Sequence, residues 1–110
     1  MKVNGYVGLN VPSYLHRIEY RRELSKEKRV HEFTEMVDSH AFYFGKSGMS
    51  MEEYWVYSLT GCADDFLERM NARAGSWLIT LYREYVEPPV HMCTIRMQWD
   101  PPKALPRNGS

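Results

Sequence analysis

Two cysteines and four histidines are the side chains of this 110-residue chain best suited to nucleophilic chemistry. Cys62 stands where the pattern predicts the start of a helix, and a thiol at a helix N-terminus ionises readily and becomes nucleophilic. A histidine would have to act as its base, and the candidates are His16, His31, His40 and His91. Because Asp64 and Asp65 would oppose a thiolate, we favour a buried, unreactive Cys62 and keep a small enzyme as an alternative.

Metal and nucleotide chemistry have weaker support. His91 and Cys93 share one face of a predicted strand and could supply two metal ligands, but a structural zinc site needs four. Gly45-Lys46-Ser47 resembles the end of a phosphate-binding loop, yet His40 stands where that loop requires its first glycine. We therefore predict no metal ion and no cofactor.

A basic stretch near the N-terminal end is the second chemical feature. Its basic residues are Arg17, Arg21, Arg22, Lys26, Lys28 and Arg29. With Tyr14 and Tyr20 beside them, they could contact a nucleic-acid backbone and stack bases. Interleaved glutamates are instead typical of a solvated, ion-paired face, and 14 basic and 14 acidic residues cancel over the whole chain. Nucleic-acid binding is therefore the alternative function and not the main one.

An aromatic surplus is the third feature, since the chain has eight tyrosines and three tryptophans. Tyrosine and tryptophan are enriched where proteins bind one another, because they bury large areas at little entropic cost. The candidate interface residues are Tyr54, Trp55, Tyr57, Trp77, Tyr82 and Tyr85. The other interpretation is that a curled sheet buries these side chains in its own core.

Strands dominate the elements that must position these residues. Alternating or β-rich runs predict strands over 2–9, 14–24, 41–45, 77–86 and 90–99. The run over 14–24 also fits a helix, but its alternation favours the strand. A hairpin loop is expected after the aromatic run at 41–45.

The first of two predicted helices covers residues 26–38. Ser25 is a suitable N-cap, and Val30, Phe33 and Val37 recur at helical spacing.

The region from Ser50 to Gly75 has two interpretations. We prefer a strand over 53–60, followed by a second helix that starts near Asp64 and ends before Gly75. The rival is one long helix, because Ser50 and Glu53 have the spacing of a capping box.

These elements predict an α+β domain in the order ββαββαββ, with five to six mostly antiparallel strands and two helices on one face. Residues 1–100 form the domain and 101–110 a flexible, proline-containing tail. No leader peptide and no apolar run long enough to span a membrane is evident, so we expect a cytoplasmic protein. The predicted function is a non-enzymatic binding protein of the inhibitor, immunity or adaptor type, acting on a protein partner or as a homodimer.

Overall fold

A computed structural model describes residues 14–38, 42 and 48–102. Within them lie four strands and one helix, namely β1 (Leu15–Ser25), β2 (Lys28–Asp38), α1 (Met51–Arg69), β3 (Gly75–Arg83) and β4 (Val90–Trp99). The strands form one antiparallel sheet in the order β2-β1-β3-β4. The α+β class is confirmed, but the described residues do not match the predicted five to six strands and two helices.

The helix predicted over 26–38 is wrong. Residues 26 and 27 form a tight turn, and the chain returns as β2 beside β1. An irregularity in this hairpin explains the error: the register passes from the Tyr20–Phe33 pair to the Arg21–His31 pair, which leaves Glu32 as an extra residue. The face shared with Tyr20 also carries Glu35, so its apolar residues are spaced three and four apart, as in a helix: Val30, Phe33 and Val37.

The strand predicted over 53–60 is also wrong, and the rival long helix is correct. Ser50 Oγ accepts a hydrogen bond from the Glu53 backbone N–H at 3.1 Å, and Glu53 Oε1 accepts one from the Ser50 N–H at 2.9 Å. This reciprocal capping box satisfies two backbone donors and starts α1. The helix ends at Arg69, and Asn71 just beyond it adopts the left-handed φ of 55° that was expected of Gly75, which instead begins β3.

The core lies between α1 and one face of the sheet. The sheet contributes Ile18, Tyr20, Trp77, Ile79 and Leu81, and the helix contributes Leu59, Ala63, Phe66 and Leu67. Tyr20 and Phe66 stack with ring centroids 4.5 Å apart. Full burial of each large apolar side chain contributes about 1.5–3 kcal/mol relative to exposure.

The strands predicted over 14–24, 77–86 and 90–99 are confirmed as β1, β3 and β4, with small differences at their ends. The strand predicted over 2–9, most of 41–45 with its hairpin loop, and the tail beyond 102 lie outside the described residues. In the described part of the chain, no helix is both long and apolar enough to cross a membrane.

Candidate functional site

The solvent-facing side of α1, called here the α1 outer face, carries an exposed apolar centre. The α1 outer face consists of Glu53, Val56, Tyr57, Thr60, Gly61 and Asp64, and Val56 and Tyr57 form its apolar centre. The side chain of Tyr57 is 56% exposed and that of Val56 is 39% exposed. A Cβ atom added at Gly61 would meet no other atom within 4 Å, so the helix surface beside Tyr57 is open.

Two surface grooves meet at Tyr57. One, of about 310 Å³, is lined by Glu52, Glu53, Val56 and Tyr57. The other, of about 750 Å³, is lined by Tyr57, Ser58, Thr60, Gly61, Cys62 and Asp65. The tyrosine ring therefore stands as a ridge between two shallow depressions, a shape that can receive side chains of another molecule on both sides.

Acidic side chains surround this apolar centre. The helix carries five carboxylates against the single arginine Arg69, which gives it a net charge of −4; the acids are Glu52, Glu53, Asp64, Asp65 and Glu68. Arg69 Nε donates to Asp65 Oδ2 at 2.8 Å, so it neutralises one of them at the C-terminal end. The charged side chains that α1 presents around the apolar centre are therefore mostly negative.

The six aromatic candidates are not gathered into one surface. Tyr54 and Trp55 are partly buried, and the Trp55 indole N–H donates to the Phe42 carbonyl oxygen at 3.1 Å. Trp77 is only 1% exposed and belongs to the core, which removes it from any surface a partner can reach. Packing inside the domain accounts for Trp55 and Trp77.

The other aromatic candidates lie in different places. Tyr82 is on the sheet face away from α1, where the Arg17 guanidinium carbon lies 4.2 Å from its ring centroid. Tyr85 follows β3 and packs edge-on against Tyr14 and His16, with centroids 5.7 and 5.6 Å away. Tyr57 is thus the most outward-facing of the six.

The basic stretch lies in the β1–β2 hairpin, and glutamates pair with its arginines. Arg17 contacts Glu19 and Glu84, the latter at 2.5 Å, and Arg21 contacts Glu19 at 2.7 Å. Arg22 pairs with Glu32 at 2.9 Å, while Lys26 and Lys28 lie at the exposed hairpin turn. This arrangement matches an ion-paired face, and among the described residues no carboxylate pairs with the turn lysines.

Glu23 is the most heavily bonded carboxylate on the sheet face away from α1. Arg96 Nε and Nη2 donate to its two oxygens at 2.9 and 3.1 Å, and the Ser76 hydroxyl donates at 2.5 Å. Arg29 lies 3.7 Å away. The hydrogen bonds from Arg96 and Ser76 lower the pKa of Glu23 to about 2.

Cys62 lies in the middle of α1 and not at its N-terminus, so the helix dipole does not activate the thiol. Burial, followed by the charges of Glu35 and Asp65, raises the pKa of the Cys62 thiol. Such a group stays protonated and weakly nucleophilic at neutral pH.

The possible metal pair His91 and Cys93 is separated by an irregularity in β4. The register opposes Cys93 to Leu81 but His91 to Tyr82, so Met92 is an extra residue between them. Cys93 is buried in the core, and burial raises its pKa to about 11. His91 is exposed and hydrogen-bonds Thr94 Oγ1 at 2.8 Å. Among the described residues, no group of three or more potential ligands could hold a metal ion.

Comparisons of the chain with models of protein families, with curated proteins and with solved structures each found no match. The function must therefore be inferred from the chain's own residues. Sequence reasoning named Tyr57 but missed Val56 and Gly61, because a strand would have placed all three differently. The capping-box spacing of Ser50 and Glu53 was the signal that could have revealed the α1 outer face.

Proposed function

We propose that the chain is a non-enzymatic binding protein whose protein partner docks on the α1 outer face. The observation that carries this proposal is Tyr57, a large aromatic side chain more than half exposed between two grooves. A tyrosine whose side chain is largely exposed and ends in a polar hydroxyl is a frequent centre of binding energy at protein interfaces. Val56 and the open backbone at Gly61 extend the contact area on both sides.

The charge of the helix indicates the chemistry of the partner. Acidic side chains surround the apolar centre, so a basic surface with one or two projecting apolar side chains is complementary to it. Such complementarity accelerates encounter and disfavours acidic partners. The partner is therefore a protein with lysines or arginines around an apolar patch, of the kind an inhibitor, immunity protein or adaptor would recognise.

A second copy of the same chain is the alternative partner. The exposed hairpin turn offers Lys26 and Lys28, whose positive charge is opposite to that of the α1 outer face. The proposal includes a cytoplasmic location, which the free thiols of Cys62 and Cys93 support because reducing compartments keep cysteines unpaired.

The test is site-specific photo-crosslinking in the cells that naturally make the protein. A photoreactive phenylalanine replaces Tyr57 in one variant and Leu24, which is 45% exposed on the hairpin, in the matched control. We expect one discrete adduct with a basic protein from position 57 and none from position 24. With the partner then purified, Tyr57→Ala should weaken binding by about 2 kcal/mol, roughly 30-fold, at unchanged melting temperature.

The same experiment can overturn the proposal. Equal binding by wild type, Tyr57→Ala and Leu24→Ala would exclude the α1 outer face. Binding that disappears with nuclease and with Lys26→Ala would instead favour the nucleic-acid alternative. An adduct between two copies of the chain, together with a dimer in sedimentation, would identify the partner as a second copy. Trp55 is unsuitable as a probe, because its packing and its bond to Phe42 make its loss destabilising.

A further inference from the structure

His16 and Arg83 face each other across β1 and β3 at the end of the sheet near Tyr85. The His16 side chain is buried with 0% exposure. Its Nε2 atom and the Nε atom of Arg83 are both buried, and neither has a hydrogen-bonding partner in the described part of the chain. Buried polar atoms are nearly always satisfied, so two such atoms on opposed residues call for a physical explanation.

The hydrogen bond at the other ring nitrogen fixes the state of His16. Nδ1 lies 2.7 Å from the Tyr14 carbonyl oxygen, which can only accept, so Nδ1 carries the proton. Burial, and then the charge of Arg83, lower the pKa of His16, although the Tyr14 bond and Asp38 act in the opposite direction. In the neutral ring, Nε2 therefore presents a lone pair beside a guanidinium.

Arg83 differs from the other strand arginines. Each of Arg17, Arg21, Arg22, Arg29 and Arg96 pairs with a carboxylate, whereas none is paired with Arg83 within the described ranges. Its guanidinium carbon lies 5.9 Å from the Trp55 ring centroid and 5.6 Å from that of Tyr85. The cation is held by aromatic faces and keeps its capacity to pair with an anion.

Aromatic side chains wall this end of the core. The ring centroids of Phe42 and Tyr85 lie 5.2 and 5.6 Å from that of His16, and Trp55 lies beyond Arg83. These rings are in contact with His16, so the apolar body of a small molecule fits here only in the place that the Tyr85 ring vacates, while the two unsatisfied nitrogens suit a charged head group. The positive charge of Arg83 disfavours a metal cation at the Nε2 lone pair.

We propose that His16 and Arg83, with the surrounding aromatic rings, form a binding site for a small aromatic carboxylate. One carboxylate oxygen accepts a hydrogen bond from Arg83 Nε–H, and the other accepts one from His16 Nε2–H. The ring takes up one proton from solvent to form that second donor, so binding converts neutral His16 to imidazolium. Entry requires movement of Tyr85, which lies in the irregular segment after β3.

Among the described residues, charged groups on two strands bear on this protonation. Arg83 on β3 opposes imidazolium formation, Asp38 at the end of β2 favours it, and the α1 side chain at the site, Trp55, is uncharged. Within the described ranges, Tyr14 and Tyr85 are the other titratable residues in contact with His16. A bound carboxylate adds a negative charge beside both nitrogens, so it outweighs the repulsion from Arg83.

The test is an NMR titration of the full chain with benzoate, following the histidine Cε1–H resonances. We expect a saturable shift for His16, with its pKa raised by about one unit, and no comparable shift for the exposed His31 and His91. Arg83→Gln should weaken benzoate binding at least tenfold. Arg96→Gln, which removes an arginine from the opposite sheet face, should leave binding unchanged and serves as the matched control.

Several outcomes would overturn the site. A His16 resonance unmoved by benzoate, or one that moves no more than those of His31 and His91, would show that the nitrogens are closed to anions. Acetate binding as tightly as benzoate would refute the role of the aromatic walls. If Arg83→Gln fails to fold, Arg83→Lys keeps the charge and loses the Nε–H, and unchanged benzoate affinity in it would contradict the proposed contact. None of these results depends on the α1 outer face.

Discussion

Tyr20 and His16 lie on the same strand, face the same core and are both fully buried, yet they differ in whether their buried polar atoms are hydrogen-bonded. The Tyr20 hydroxyl donates to Glu35 Oε1 at 2.9 Å, and Arg69 Nη2 lies 3.3 Å from the other Glu35 oxygen. His16 Nε2 has no partner in the described part of the chain. At the Tyr20 end of the core the buried polar atoms are hydrogen-bonded to one another. At the His16 end a buried nitrogen makes no hydrogen bond in the described part of the chain and so does not stabilise the fold through one.

The difference follows from what stands opposite each residue. Phe33 and Ile79 flank Tyr20 across the sheet. Glu35 lies two residues after Phe33 on β2, where it contacts both the Tyr20 hydroxyl and Arg69 of α1. Burial, and then the negative charge of Glu35, raise the pKa of Tyr20, so the hydroxyl remains a donor at any physiological pH. Opposite His16 stands Arg83, which cannot accept a hydrogen bond.

The largest expected change in the free energy of unfolding comes from removing the hydrogen bond between Tyr20 and Glu35. Tyr20→Phe removes the donor to Glu35, whose carboxylate is mostly buried, and should lower the free energy of unfolding by about 1–3 kcal/mol. Tyr82→Phe, on the other sheet face, is the matched control and should change it by less than about 0.5 kcal/mol. Urea denaturation measures both, and equal effects would mean that the Tyr20–Glu35 bond adds no stability.

A smaller effect should appear on acidification at the His16 end. Because burial holds the pKa of His16 in the folded chain below its ordinary value of 6.5, the unfolded chain takes up the proton first. The stabilisation from neutral His16 is complete above about pH 6.5 and falls by at most about 1.4 kcal/mol per pH unit below it. Stability measured at several pH values should show this decline in wild type and not in His16→Phe. A decline of the same size in both proteins would assign it to other groups.

The smallest change in the free energy of unfolding is expected from His16→Phe above about pH 6.5, where His16 is neutral in both the folded and the unfolded chain. The substitution keeps a planar ring of similar size and removes the unsatisfied Nε2, at the cost of the Nδ1 bond to Tyr14. The free energy of unfolding should therefore stay within about 1 kcal/mol of wild type. A loss larger than that of Tyr20→Phe would reverse the comparison and show that His16 is satisfied in solution.

Local patterns revealed part of this fold and longer-range pairing decided the rest. The alternation in β1, β3 and β4 is visible over ten residues, so those strands were predictable. In β2, the extra residue Glu32 changed a two-residue period into a helix-like one. At α1, the aromatic and β-branched residues over 53–60 favoured a strand in the sequence analysis. The segment is a helix that begins with the capping box of Ser50 and Glu53.

The sites show the same limit. Tyr57 was named from its residue type alone, while its neighbours on the helix surface depended on knowing that α1 is a helix. The opposition of His16 and Arg83 depends on the register between β1 and β3, two strands separated by a hairpin and a helix. No spacing within either strand indicates that pairing.

Glu23 has a consequence for the order in which the chain assembles. Its partners come from three other strands: Arg29 on β2, Ser76 on β3 and Arg96 on β4. The first is a hairpin neighbour that can meet it early, whereas Ser76 and Arg96 are 53 and 73 residues away. Contacts so distant in sequence require the closure of long loops before they can form. We therefore expect the loss of the Glu23 carboxylate to raise the unfolding rate more than it lowers the folding rate.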